Sequence, residues 1–299
     1  MEVEKPIFII STGRSGSTFF QRVFAEHPNI SWLSILSHKF PHKPELNRLL
    51  MHLIDYPIIG NVLKKRYKPD EHFQFWENNC QGFSYPGRDL TEEDITNKIE
   101  KDVINSTQKL LTSKRNRLLV KTTGWSRIRF YNKIFPDAKF IHILRDPRAA
   151  VNSMRHIRFW YGLGYINRLA WGAFTESENE EWEKYNKSFV AFSSILWKRL
   201  INSIDSAKSN VPSSSFMEIK YEELCDKPIA IFKELTDFCE LKWYKSFEEC
   251  IKKQKFKSTN YKWKQDLTDK QQKTIEEITY NHLKIYGYLK QEVNLLLQS

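Results

Sequence analysis

Short apolar strands that alternate with helical segments predict an α/β fold: a three-layer parallel sheet with helices on both faces. Three observations carry the prediction. The runs Ile7–Ile10, Arg117–Lys121, Lys139–Leu144 and Ser215–Lys220 are dominated by apolar residues and are too short for helices. Segments with helical periodicity separate them. Polar turns close the first and third strands, where open parallel sheets bind their ligands.

The first strand enters Ser11-Thr12-Gly13-Arg14-Ser15-Gly16-Ser17-Thr18. Gly13 and Gly16 let the backbone wrap closely around an anion, while Ser15, Ser17 and Thr18 supply hydroxyl donors. Arg14 adds a planar, permanently charged fork. The helix that follows, from Thr18 to about Glu26, puts Phe20, Val23 and Phe24 on one side. Its start offers unpaired amides and a partial positive charge. The loop is not a Walker A motif, because Ser17 stands where that motif carries lysine. A junction of this composition can also be purely structural.

The third strand, Lys139–Leu144, follows the turn Phe135-Pro136-Asp137-Ala138 and ends at Arg145. Pro147 opens a helix whose first turns run from Arg148 to Met154, and Ser153 lies eight residues after Arg145. A cation at a strand end and a hydroxyl one to two helical turns later can grip one phosphate from two sides. The alternative is a salt-bridged strand end with an incidental serine. Ser126 is expected to cap a helix to about Phe135, and longer helices to cover Lys187–Ala207, Ile229–Cys239 and Thr268–Ile285. Residues 31–116 read as mixed helices and loops. Arg155–Asn186 reads as irregular, crowded by Trp160, Tyr161, Tyr165, Trp171, Phe174, Trp182 and Tyr185. Such aromatics serve either a core or an acceptor wall.

In a chain of 299 residues, 40% hydrophobic content permits a sizeable core, and no linker or repeat divides it. A single domain over 1–299 is expected, with acceptor-site insertions around 31–116 and 155–186. No apolar window reaches the length of a membrane span, and no signal peptide precedes the first strand, so a cytoplasmic protein is expected. Cys80, Cys225, Cys239 and Cys250 lack metal or redox spacing and read as reduced thiols, with no metal site. The net charge of +11 admits nucleic acid, an anionic surface or an anionic substrate. The basic run Lys252–Lys264 is its densest expression, either a solvated face or an approach to a phosphate.

The two anion motifs together resemble those of the PAPS-dependent sulfotransferases (PAPS is 3′-phosphoadenosine 5′-phosphosulfate, PAP its desulfated product). In that family a P-loop-like turn of the type Gly-Arg-Ser-Gly-Ser/Thr holds the 5′-phosphosulfate, matched here by Gly13–Thr18. An arginine with a serine eight residues on holds the 3′-phosphate, matched by Arg145 and Ser153. Met217–Leu224 is similar to the family's strand and "YEDL" element, which places Tyr221 near the adenine. Tyr261–Lys264 with Leu267-Thr268 is similar to its "KW…LT" element. The resemblance implies a P-loop-containing nucleotide-binding fold with PAPS as donor co-substrate and no metal. Nucleotide contacts are then expected from Gly13, Arg14, Ser15, Gly16, Ser17, Thr18, Phe19, Arg145, Ser153 and Tyr221. The sulfuryl group would pass in line to a hydroxyl or amine of a small-molecule, carbohydrate or lipid acceptor, and no nucleic-acid partner is expected.

Arg14 stands where cytosolic members carry lysine, and is expected to stabilise the leaving phosphate. Lys121 ends a strand beside the site and could bond the transferring sulfate; the alternative is a structural salt bridge. Cytosolic members take their general base from Lys-Thr-His, but here the sequence is Lys121-Thr122-Thr123. Heparan-modifying members use Glu-x-His after the first helix, and the matching stretch here is Leu36-Ser37-His38. His38 is therefore the candidate base, ahead of His42, with Glu26 and Glu45 as further possibilities. His142 reads as a core residue. Rival readings are a P-loop kinase or nucleotide-binding protein, a nonenzymatic nucleic-acid binder, and a PAP-binding family member without catalysis.

Overall fold

Five parallel strands form one sheet in the computed structural model, which describes residues 2–84, 86–156 and 172–289. They are β1 (Ile7–Ser11), β2 (Ile30–Trp32), β3 (Arg117–Thr123), β4 (Lys139–Leu144) and β5 (Phe216–Lys220), in the order β2-β3-β1-β4-β5. β1 is central; Ile9 lies beside Lys121 of β3, and Ile10 beside both Thr122 and His142.

Strand side chains alternate between the faces. Phe8 and Ile10 join Leu118, Val120, Phe140, Tyr131 and Trp197 in one apolar cluster. Ile7 and Ile9 join Leu119, Ile141, Phe20, Phe24 and Phe232 in another. The strands read as continuous apolar runs because both faces are covered by helices. Fully burying one such Phe or Ile side chain is worth roughly 1.5–3 kcal/mol.

Several elements differ from the sequence reading. β2 falls in a stretch read as helices and loops, because three residues are too few to show alternation. Glu176–Lys184 is a helix inside the segment read as irregular, started by a reciprocal capping box between Thr175 and Glu178. Ser126 is not the residue preceding its helix. Arg127, left-handed at φ 51°, takes that place before Ile128–Ile134. The Ser126 hydroxyl still accepts from the first helical amide, that of Ile128, at 3.4 Å, and donates to Asp89 at 2.6 Å. Trp182 is buried with Trp125, Met154 and Phe192 in a core cluster, and Phe174 and Tyr185, half-buried, pack against it. Trp160, Tyr161, Tyr165 and Trp171 lie outside the described residues. Among those described, no helix is long and apolar enough to cross a membrane.

The strand order positions the site. After β1 the chain turns toward β2 and β3, and after β4 it turns the opposite way, toward β5. The crevice beyond the carboxyl ends of β1 and β4 is thus the switch point at which such sheets bind ligands.

Candidate active site

The loop after β1 is held in strained, compact turns. Gly13 (φ 93°), Arg14 (φ 56°) and Gly16 (φ 81°) are all left-handed. A Cβ on Gly16 would lie 2.6 Å from the Tyr221 ring, so only glycine fits between this loop and the start of the helix after β5. The helix Ser17–Phe24 begins without a side-chain cap, which leaves its first amides free for an anion. The Ser11 hydroxyl donates to Ser17 at 2.9 Å, while the buried Ser15 hydroxyl has no partner among the described residues. Phe19 sits half-exposed, edge-on to Phe256 at 5.1 Å.

Arg145, at the end of β4, is buried and donates to three distant groups. These are the Arg14 carbonyl (2.7 Å), Asn260 Oδ1 (2.8 Å) and Thr259 Oγ1 (3.0 Å). Its guanidinium lies 4.4 Å from the centre of the Tyr221 ring, and the Tyr221 hydroxyl donates to the Lys257 carbonyl at 3.3 Å. Arg14 Nε donates to Ser153 Oγ at 3.0 Å. Residues of the two motifs, more than a hundred positions apart in sequence, thus meet in one crevice. Burial first, and then the Arg145 charge, lower the Arg14 pKa. Burial lowers that of Arg145 as well. The buried Arg145 guanidinium and the exposed Arg14 side chain thus bring two cationic groups to one crevice, an arrangement suited to an anion.

Lys121 connects this crevice to a second cavity. Its buried ammonium donates to Thr18 Oγ1 at 2.7 Å and reaches Asp70 (3.4 Å) and Glu71 (3.7 Å). Asp70, Glu71 and His72 line a cavity of about 370 Å³ together with Ile35, Ser84 and His38. His38, on the short helix Ile35–Lys39, is exposed, with its ring 6.1 Å from that of His72. His72 is left-handed at φ 48°, and its buried Nε2 has no partner among the described residues. Burial lowers its pKa to about 4, so its imidazole is neutral at ordinary pH. Burial alone would raise the Asp70 carboxyl, but Lys121 and the Glu71 amide bring it below its usual value.

Asp70, Glu71 and His72 were not among the sequence candidates, nor were Thr259 and Asn260. None belongs to a local motif; the only signal was three consecutive ionisable residues in an otherwise unassigned stretch. The other proposed bases stand elsewhere. Glu26 pairs with Lys64 at 2.9 Å in a separate cavity, and Glu45 pairs with Lys109 at the surface. His42 is exposed and does not line the cavity of His38. His142 is fully buried, with Nδ1 2.9 Å from Glu218. Among the described residues, no group of three or more His, Cys, Asp or Glu could hold a metal ion.

Comparison with known proteins agrees with this fold. The fold is shared with sulfotransferase STF9 from Mycobacterium avium, at 15% identity and TM-score 0.60 over 95% of this chain and 77% of that one. It is shared with sulfotransferase STF1 from Mycobacterium tuberculosis H37Rv, at 14% identity and TM-score 0.52 over 93% and 76%. The sulfotransferase domain from the curacin biosynthetic pathway gives 14% and 0.52 over 93% and 99%. No curated protein sequence matches significantly. Residues 6–245, most of the chain and both anion motifs, match the model of one family. The chain belongs to the sulfotransferase family.

Proposed function

We propose that this sulfotransferase takes its sulfuryl group from PAPS, bound across the β1–β4 crevice, and passes it to a hydroxyl or amine acceptor in the cavity lined by His38. The observation that carries the reading is the meeting of the two motifs: Arg14 on Ser153, and Arg145 on the Arg14 carbonyl. The residues present fit the nucleotide. An uncapped helix start, an unpartnered Ser15 hydroxyl and a glycine cradle at Gly16 converge on one spot. PAPS supplies the activated sulfuryl group together with its bisphosphate leaving group.

The amides and hydroxyls of Gly13–Phe19 hold the 5′ side, Arg145 and Ser153 the 3′-phosphate, and Tyr221 flanks the adenine. Arg14 supplies a fixed charge where negative charge builds on the leaving oxygen, and Lys121 a second one from the β3 side. His38 accepts the proton of the acceptor hydroxyl. No residue in this scheme needs a metal. Four free cysteines fit a reducing compartment such as the cytoplasm.

Calorimetric titration with PAP and an acceptor screen with labelled PAPS test the reading. Stabilisation by Mg-ATP but not by PAP would replace it with the P-loop kinase reading. Tighter binding of a polynucleotide than of PAP, with a steep salt slope, would replace it with nucleic-acid binding. PAP binding with no turnover on any acceptor would leave a binding protein; Thr123 and Leu36, standing where relatives carry catalytic side chains, make that outcome worth measuring.

A further inference from the structure

Two helices, Pro44–Leu53 and Pro57–Arg66, form a hairpin beyond β2. Leu50, Met51 and Ile54 face inward and join the apolar cluster on one side of the sheet. The outward side is also apolar. Leu49, Leu53, Tyr56, Ile58, Ile59 and Val62 are exposed, Ile58 at 84% and Val62 at 64%. Scattered exposed aliphatic residues are ordinary, but six within one hairpin make a contiguous patch of the kind that marks an interaction surface.

The orientation of the second helix is constrained. A Cβ on Gly60 would lie 2.1 Å from the Ile54 carbonyl, so the helix seats backbone against backbone at this point. That contact sets Gly60 inward and turns Ile58, Ile59 and Val62 to solvent. The rim is basic. Between residues 44 and 68 stand Arg48, Lys65, Arg66 and Lys68, besides Lys64, which pairs with Glu26, against two acids only, Glu45 and Asp55. Both acids are neutralised from elsewhere, Glu45 by Lys109 and Asp55 by Lys114 and Arg115.

An apolar helical face with a cationic rim is complementary to acyl chains beneath anionic headgroups. A second copy of this chain fits less well, because it would bring two cationic rims together. We propose that the 44–66 hairpin docks on an anionic lipid surface, with Ile58, Ile59 and Val62 entering the interface and Lys65, Arg66 and Lys68 meeting the headgroups. This assignment is independent of the nucleotide chemistry.

The test is co-sedimentation of the full chain with extruded vesicles of phosphatidylcholine, with and without phosphatidylserine. Binding is expected with phosphatidylserine, weaker without it, and weaker as salt rises. The variant I58S/I59S/V62S is expected to lower partitioning by about tenfold or more. K65E/R66E/K68E should remove the phosphatidylserine dependence, and each variant's thermal midpoint checks that the fold persists. The proposal is overturned if the wild-type chain ignores phosphatidylserine vesicles at low salt, or if the folded serine variant binds them as the wild type does. A concentration-dependent dimer abolished by I58S/I59S/V62S would likewise overturn it, in favour of an interface between copies.

Discussion

Arg145 is the residue on which the nucleotide reading turns. Its hydrogen bonds to Arg14, Thr259 and Asn260 fix the orientation of the guanidinium, which is proposed to meet the 3′-phosphate. Arg145→Ala removes a charged hydrogen bond worth about 1.5–3 kcal/mol, so PAP affinity measured by calorimetry should fall roughly tenfold to a hundredfold. Unchanged affinity would sink the assignment. Arg14 serves a different purpose. If its charge matters most as the leaving group departs, Arg14→Ala lowers turnover more than it weakens PAP binding; equal losses would make it a binding residue only. His38→Ala should lower turnover by about a hundredfold or more with PAP affinity nearly intact. A near-normal rate in the variant would move the proton-accepting role to the neighbouring Asp70, Glu71 and His72, which share the cavity.

At the scale of elements, the loop after β1 and the helix Tyr221–Asp226 are packed against one another at a single point. Gly16 is left-handed and its α-carbon faces the Tyr221 ring. Gly16→Ala therefore combines two costs: about 1–2 kcal/mol for an L-residue in left-handed backbone, and a steric clash that displaces Tyr221 from under Arg145. Urea melts should show the lost stability, and PAP titration a lost affinity. Adding Tyr221→Leu to Gly16→Ala should recover the steric part but not the backbone part. Strict additivity of the two substitutions would show that the ring contact is not the constraint.

For the whole molecule, His27 links β2 to the segment after residue 239 and makes stability depend on pH. It is fully buried; its Nε2 donates to the Lys242 carbonyl at 2.9 Å and its Nδ1 accepts from the Asn29 amide at 3.2 Å. Both nitrogens are thus satisfied in the neutral ring. Burial first, and the Arg115 and Arg117 charges with it, lower its pKa from 6.5 to about 4, against the Lys242 hydrogen bond that raises it. The unfolded chain therefore takes up this proton at a higher pH than the folded one. The stability is fully present above pH 6.5 and is lost as pH falls toward 4, by roughly 3 kcal/mol for a shift of this size. Denaturant melts between pH 7.5 and 4.5 should show the decline, and His27→Gln should flatten it. An unaltered slope in the variant would assign the decline to other groups.

The sequence by itself determined the sheet's main strands, the two faces of its core and the position of both anion loops. These follow from the order of residues along a short stretch: a continuous apolar run, a turn, then helical periodicity. Gly13, Gly16, Arg145 and Ser153 could be named because each pair lies close in sequence, within one turn or between a strand end and the next helix. Only the tertiary structure decided the rest. β2 is too short to announce itself, and becomes a strand through its pairing with β3. The helix at Glu176–Lys184 has a capping signal but was hidden in a stretch crowded by aromatics, of which Trp182 is buried in the core. Thr259 and Asn260 reach Arg145 from more than a hundred residues away, and Lys121 meets Asp70 and Glu71 across about fifty. Such meetings leave no local trace, because they are set by how covered sheet faces and crossing connections pack. The cavity beside His38 joins residues 35–38 to residues 70–74 and Ser84, so it was less legible than the crevice after β1 and β4.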